Sequence, residues 1–354
     1  MTGPAAGEVA YGVDVGGTKI LGVALGANGE VLAQHRVATP HQAAATAARG
    51  QPGGAARPGA GGHPGEAVAD AVVGLLVQLH GDLGADDALA TAPIGVGIAG
   101  LVDTAGVLRF SPNLAAATGA DVARLVAARL GTHPGGAAPA HNDAKCAAFA
   151  ELVLGAARGM RDGLVITLGT GIGGAQIVHG RVRAGAHGFG GEFGHIVVDP
   201  NGPPCPCGNR GCWERYASGG GLARLARESA FAGTLREPVR LAGGDPEHVT
   251  GEHVAAAAAA GDPDALRVMA ELGWWVGLGL ANLVAAFDPE WIVLGGGLGH
   301  AGEMLLGPAR GALAALVEGG GARGTVPVVE AGLGEQAGAV GAALAARHGS
   351  LDLS

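Results

Sequence analysis

The sequence predicts an α/β protein built as two lobes, on three observations. Apolar strand-like runs alternate with helical periodicities almost from end to end, which is the pattern of layered α/β architecture. A strand, a turn with paired glycines and a second strand occur over 9–25 and again over 164–178, so two related topologies are expected. The chain's 354 residues exceed one ordinary core and suit two lobes of roughly 100–200 residues each.

Val9–Val15 reads as an apolar strand, and Ile20–Leu25, the turn at Asn28-Gly29 and Val31–Val37 read as a hairpin, so the chain opens with a β-meander. The Ala-, Gly- and Pro-rich stretch 40–65 has no periodicity and is expected to be a flexible insertion. Val68, Val72, Leu75, Leu76 and Leu79 recur at helical spacing, Ile94–Ala99 is a buried strand, and a hairpin is expected around Asp103–Gly106. Alanine-rich helices at about 121–130 and 143–156 flank a short strand ending near His141. The second half gives strands Leu164–Leu168 and Ala175–Val178, a long helix Pro263–Ala286, a strand Trp291–Leu294, a helix, a strand 326–330 and a terminal helix from Glu335.

Apolar residues make up 48% of the chain but aromatics only 3%, so the core must be assembled from small side chains. A net charge of -9 with 15% charged residues offers no basic stripe for nucleic acid and no cationic cluster for a membrane. Met1–Gly7 lacks a basic leader, and no run approaches the ~18 apolar residues of a membrane span, so a cytoplasmic protein is expected. In a reducing compartment three of the four cysteines lying within eight positions favour a metal over disulfides. With 69 glycines, a Gly-Gly pair alone says nothing, and the polar residues beside it must carry any motif.

Asp14-Val15-Gly16-Gly17-Thr18-Lys19 joins the first two strands, where glycines let the backbone approach a phosphate and Thr18 adds a hydroxyl. The Asp14 carboxylate would repel that phosphate unless a cation intervened, which suits it to magnesium. Gly169-Thr170-Gly171-Ile172-Gly173-Gly174 repeats the arrangement, and a third turn, Gly295-Gly296-Gly297, could lie against adenine. Each turn is also what an ordinary glycine-rich loop looks like. Asn142-Asp143 stands at a strand end and a helix start, so Asp143 is either a helix cap or the carboxylate that accepts a hydroxyl proton. His195, Cys205, Cys207 and Cys212 form a full tetrahedral zinc set, and a closed four-ligand site is structural. Cys146 reads as a small buried hydrophobe, His179 and His187 as loop residues, and Trp274-Trp275 as core or interface.

Together the D-x-G-G-T turn, the Asn142-Asp143 pair, Gly190-Gly191-Glu192-Phe193-Gly194-His195, the run Cys205–Glu214 and the late Gly295-Gly296-Gly297 resemble the ROK family, in particular its zinc-bearing bacterial glucokinases, over about residues 9–346. The resemblance implies an actin–hexokinase type fold with central mixed sheets around an ATP and sugar cleft. Residues 1–142 would form a smaller lobe, with a helix at about 337–354 packing back on it, and 143–336 a larger lobe carrying the zinc loop 195–212. It implies ATP and Mg2+ at Asp14, Gly16, Gly17, Thr18, Lys19, Gly169, Thr170, Gly171, Gly173, Gly174, Gly295, Gly296 and Gly297. Asp143 would be the base, and Asn113, Asn142, Asp143, Glu192, His195 and Glu214 would bind the sugar. His195, Cys205, Cys207 and Cys212 would hold structural zinc, and the protein would be a homodimer or homotetramer.

The implied activity is phosphorylation of a hexose by ATP, with glucose first, and fructose, mannose or N-acetylmannosamine as alternatives. A polyphosphate-using enzyme is disfavoured by the zinc run. The family's DNA-binding repressors carry a helix-turn-helix for which the residues before Asp14 leave no room, and a non-catalytic sugar-binding regulator would not need the full set of Asp14, Thr18 and Asp143. Lys145 and Ala115–Ala117 depart from the glucokinase pattern beside the expected sugar pocket, and the 40–65 insertion is longer than usual.

Overall fold

The computed structural model describes residues 9–40, 65–84, 89–131, 139–298 and 302–352, so most of the stretch expected to be a flexible insertion, 41–64, lies outside the described residues. Strand β1 (Ala10–Val15) is covered on both faces, its apolar run broken by the half-buried Asp14. It pairs antiparallel with β2 (Lys19–Leu25), and β2 with β3 (Val31–Ala38), whose alternating exposure marks a sheet edge. Helix α1 (Glu66–Leu83) buries Val68, Val72, Leu75, Leu76 and Leu79, the stripe its sequence period demands. It leads to β4 (Ile94–Ile98), parallel to β1. A small hairpin, β5 (Leu101–Val102) and β6 (Leu108–Phe110), precedes α2 (Val122–Leu130), which Asp121 caps by accepting from the Arg124 N–H at 2.9 Å. Strand β7 (His141–Asn142) then joins parallel to β4, and α3 (Asp143–Val153) begins at once. The order is β3-β2-β1-β4-β7.

The second sheet repeats that plan. Strands β8 (Gly163–Leu168), β9 (Ile172–Val178) and β10 (Arg181–Val182) are antiparallel neighbours. Five helices follow: α4 (Glu214–Ala217), α5 (Gly219–Phe231), α6 (Arg236–Leu241), α7 (Gly251–Ala259) and α8 (Pro263–Phe287). Strand β11 (Trp291–Gly295) lies parallel to β8; after α9 (Glu303–Leu316) and α10 (Gly320–Arg323), β12 (Val328–Glu330) lies parallel to β11. The order is β10-β9-β8-β11-β12, and α11 (Ala337–His348) closes the chain. By length and composition α8 could cross a membrane, yet Val268, Leu272, Val276, Leu280 and Val284 are buried in the core of the second sheet's helices.

Contacts group the chain into two compact units: residues up to Phe149 with Ala186–Phe189 and Gly338 onward, and Ala150–Gly185 with Gly190–Ala337. In the first unit α11 lies directly on the sheet. A side chain at Gly12 of β1 would strike the Ala339 carbonyl, and one at Gly95 of β4 the Ala342 carbonyl, so glycine there is what lets helix and sheet backbones touch.

Candidate active site and metal centre

In the first unit the β1–β2 turn is tied down by three hydrogen bonds. The Gly16 N–H donates to the Lys19 carbonyl (3.0 Å), the Thr39 hydroxyl to the Gly16 carbonyl (2.7 Å) and the Thr39 N–H to the Thr18 carbonyl (3.1 Å). Thr18 and Lys19 are exposed. Asn113 packs on the turn, because a Cβ at Gly17 would come within 2.6 Å of its own. Sequence reasoning gave Thr39 no role, since a lone threonine before a proline carries no signal.

Asp14, on β1, faces the first turn of α11, where a Cβ on Gly338 would stand 2.6 Å from its Oδ2. Its Oδ1 is buried with no hydrogen-bond partner. Burial pushes its carboxyl up to about 7, the Asp143 charge adds to the rise and Lys19 opposes it. Burial also raises Asp143, against the lowering influence of the Ala144 N–H at 2.9 Å and of Lys145. Two part-buried carboxylates, Asp14 raised by the charge of Asp143 and left with an orphaned oxygen, form a donor set that a hard divalent cation would satisfy, so the residues fit magnesium.

The helix cap belongs to Asn142, one residue before the position expected from sequence. Its Oδ1 accepts from the Lys145 N–H (3.1 Å) and its Nδ2 donates to the Gly100 carbonyl (3.1 Å). A cap residue is extended and reaches an N–H three residues ahead, which Asn142 in β7 can do; Asp143 is already the first helical residue. Its carboxylate takes the neighbouring Ala144 N–H and its own, and is not occupied by capping. Burial, aided by Lys145, lowers neighbouring His141 to about 4, so its ring is neutral at pH 7. Cys146 is buried, as expected, and burial followed by the two aspartates drives its thiol up.

In the second unit the β8–β9 turn is held by the start of α5. Gly219 N–H donates to the Gly169 carbonyl (2.8 Å), Gly220 N–H to the Thr170 carbonyl (3.3 Å), and Gly169 N–H to the Gly171 carbonyl (2.9 Å). Gly173 and Gly174 lie in β9 itself, paired with Thr167 and Ile166. The third turn crosses over the second: Gly296, at φ 83°, brings its backbone so near Leu168 that a Cβ would be 2.5 Å from the Leu168 carbonyl oxygen, and Leu298 N–H donates there at 2.9 Å. Glu214 overlies the second turn, with Oε2 2.6 Å from where a Gly171 Cβ would sit. Glu192 leads into a short 3-10 turn, Phe193–His195, that presents the histidine.

His195, Cys205, Cys207 and Cys212 converge, all four ligand atoms lying within 4.8 Å of one another. Cys205 Sγ is 3.8 Å from His195 Nδ1, and Cys207 Sγ is 3.6 Å from Cys212 Sγ. A tetrahedron with zinc–sulfur bonds of about 2.3 Å has edges of about 3.8 Å, so the spacing fits zinc and is far from the ~2.05 Å of a disulfide. Burial pushes the Cys205 and Cys212 thiols up, so a bound cation is what would hold them as thiolates. Glu214 Oε1 accepts from Cys205 Sγ at 3.2 Å and lies 3.8 Å from His195 Nδ1. The loop is braced from below: Tyr216 donates to Asp199 Oδ2 (2.8 Å) and stacks on Trp275 (4.1 Å), whose carbonyl accepts from Trp213 Nε1 (2.7 Å). Trp275 is thus a support for the loop, while Trp274 is part-exposed beside it.

The ROK family profile matches residues 63–348. The glucokinase of Streptomyces coelicolor is 37% identical over 340 residues, covering 95% of this chain and 97% of that protein. A crystal structure of a ROK family glucokinase from Streptomyces griseus, in complex with glucose and AMPPNP, superposes with a TM-score of 0.81 at 36% identity, covering 96% of this chain and 99% of that one. The ROK hexokinase from Thermus thermophilus superposes with a TM-score of 0.65 at 32% identity, covering 95% and 97%.

Proposed function

The chain belongs to the ROK family, and from that premise we propose that it is an ATP-dependent glucokinase, converting glucose and ATP to glucose 6-phosphate and ADP. One observation carries the reading: Asp143 is a part-buried carboxylate whose charge acts on Asp14, relieved of capping by Asn142, in a chain similar to a glucokinase that binds glucose and an ATP analogue.

Asp143 is the general base. As the sugar 6-oxygen bonds to the γ-phosphorus and the bond to the ADP oxygen breaks, the hydroxyl proton passes to its carboxylate. Its burial favours the neutral form and so raises its basicity. Asn113, Asn142, Glu192, His195 and Glu214 orient the sugar hydroxyls. With Nδ1 turned toward the sulfurs, His195 keeps Nε2 for a hydroxyl, so structural zinc would fix a sugar ligand as well as its loop. The three glycine turns hold the nucleotide, with Gly16, Gly17, Thr18, Lys19, Gly169, Thr170, Gly171, Gly173 and Gly174 around the phosphates and Gly295, Gly296 and Gly297 beside adenine. Asp14 would hold magnesium, whose charge offsets that of the phosphates. The protein acts in the cytoplasm as a homodimer or homotetramer, its smaller lobe being 1–142 with the terminal helix.

The test is ADP release, coupled to a spectroscopic readout, over a panel of hexoses with metal-replete protein. Glucose should give the highest kcat/KM. No stimulation by any sugar would overturn the reading; a preference for fructose, mannose or N-acetylmannosamine would keep the kinase and move the substrate, with Ala115–Ala117 and Lys145 the positions to examine first.

A further inference from the structure

Among the described residues Lys145 is a charged side chain with almost no exposed surface, at 3%. Lysine is rarely enclosed, because an ammonium taken from water must find hydrogen bonds and opposite charge or lose its proton. Lys145 finds both. Its Nζ donates to the Gly188 carbonyl at 2.9 Å, and its charge acts on Asp143 two residues earlier in α3.

Gly188 is an unusual recipient. It is buried in the middle of a stretch whose neighbours Gly185, Ala186 and His187 are exposed. Its φ of 89° is open to glycine, and a Cβ would come 2.6 Å from the Val102 carbonyl oxygen and 2.9 Å from the Asp103 carbonyl carbon. The glycine is therefore pressed onto the backbone of the β5–β6 hairpin, with its own carbonyl turned inward to the ammonium. Contacts place 186–189 with the first unit, whereas the residues on either side belong to the second. At the base, the Gly190 N–H donates to the Ala184 carbonyl (2.8 Å) and closes the loop. Glu192 follows two residues later.

We propose that Lys145 is a positioning residue for the sugar: through the Gly188 carbonyl it pins the segment 186–189, and so fixes the end from which the chain runs to Glu192. This rests on the reading of Glu192 as a sugar ligand and deepens it. Lys145 itself touches no substrate. With the pin removed, the loop keeps its Ala184–Gly190 closure and loses its inner anchor, so Glu192 samples more positions and the bound sugar must order it. That penalty falls on sugar binding and leaves nucleotide binding alone.

Lys145→Met keeps the length and the apolar stem and removes the ammonium; Lys145→Arg keeps charge and donors. In Lys145→Met the KM for the sugar should rise about tenfold, the size of one charge-assisted hydrogen bond, with the KM for ATP unchanged. Backbone amides of 186–192 should exchange with deuterium about tenfold faster, without a matching rise elsewhere. Lys145→Arg should recover most of both. A purely structural role would lower the melting temperature and speed exchange throughout, leaving the ratio of the two KM values as in wild type. The proposal is overturned if Lys145→Met keeps wild-type sugar KM, if both KM values rise together, or if exchange at 186–192 does not change. Should Lys145→Met fail to fold, the same readouts on Lys145→Leu, which is neutral and has no donor, decide it by the same criteria. Should wild type phosphorylate no sugar, the proposed activity fails, while exchange in 186–192 still shows whether the pin exists.

Discussion

The two sheets share one strand order and one pattern of pairings, yet the turns between their first two strands are equipped differently. In the first, Asp14 stands one position before the last paired residue, Val15 opposite Ile20; in the second, Thr167 stands one before Leu168 opposite Ile172. The helices that follow the last strands differ in the same sense. After β7, α3 begins with Asp143; after β12, α11 begins with Ala337-Gly338 and sets a bare backbone against Asp14. The aspartate pair Asp14 and Asp143 lies in one copy of the frame, and the His–Cys cluster and the stacked glycine turns in the other. Topology sets where a turn can face, and the residue at one strand position decides whether a carboxylate or a hydroxyl stands behind it.

The sharpest way to break that comparison is to remove the charge from the first copy. Asp143→Asn keeps the size, and Asn142 keeps the cap, so the fold should stand while turnover falls by about 100-fold or more, the usual loss with a general base, read by ADP release. Retention of more than about a tenth of wild-type turnover would remove Asp143 from the role.

Asp14→Asn probes the same charges through stability. A carboxyl raised to about 7 from 3.8 binds a proton in the folded state that the unfolded state does not hold between those values. Its contribution is therefore complete below pH 4 and lost as pH rises through about 7. In metal-free buffer the wild-type melting temperature should fall between pH 5 and pH 8 more than that of Asp14→Asn, by thermal melts at matched ionic strength. Magnesium, by favouring the ionised form, should stabilise wild type at pH 8 and have a smaller effect on the variant.

The second copy is tested through its metal. Cys207→Ser removes one of four ligands, so elemental analysis should show zinc falling from one per chain, and proteolysis should cut the loop 195–212 first. The KM for glucose should rise, because His195 loses its brace, while KM for ATP changes little. Stoichiometric zinc with full activity in that variant would separate the cluster from the metal.

Much of this was legible because period and spacing are local properties. The stripe Val68 to Leu79, the Asn28-Gly29 hairpin, the paired strand–turn–strand units and the cysteine run each announce themselves within a short window. What the sequence hid depends on distant chain. No pattern marks Gly338 as the neighbour of Asp14, or Trp275 as the floor beneath Tyr216, because more than fifty residues separate each pair. The capping duty of Asn142 was missed for a different reason: Asn and Asp are equally good caps, and only the backbone shows which of two adjacent residues is still extended. Lys145 read as a departure beside the sugar pocket, while its partner Gly188 was one glycine among 69.

The smallest expected effect concerns the glycine turns, where composition is least informative. Gly169 and Gly297 both lie in turns assigned to the nucleotide, and a Cβ at either would meet nothing within 4 Å. Neither has a left-handed φ, so alanine is compatible with the backbone at both. If these glycines only complete loops, Gly169→Ala and Gly297→Ala should behave as ordinary surface changes, within about 0.5 kcal/mol of wild-type stability and with unchanged kinetics. If phosphate approaches the backbone at Gly169 and adenine at Gly297, the added methyl occupies space that is empty until ATP arrives. The KM for ATP should then rise about three- to tenfold, the scale of roughly 1 kcal/mol of lost contact, with the KM for glucose and the melting temperature unaffected. Gly17→Ala supplies the contrast, because its Cβ meets that of Asn113 at 2.6 Å even without ligand, so it should disturb stability and sugar binding together. Equal behaviour of all three variants would show that the turns of the two copies are not divided as their neighbours suggest.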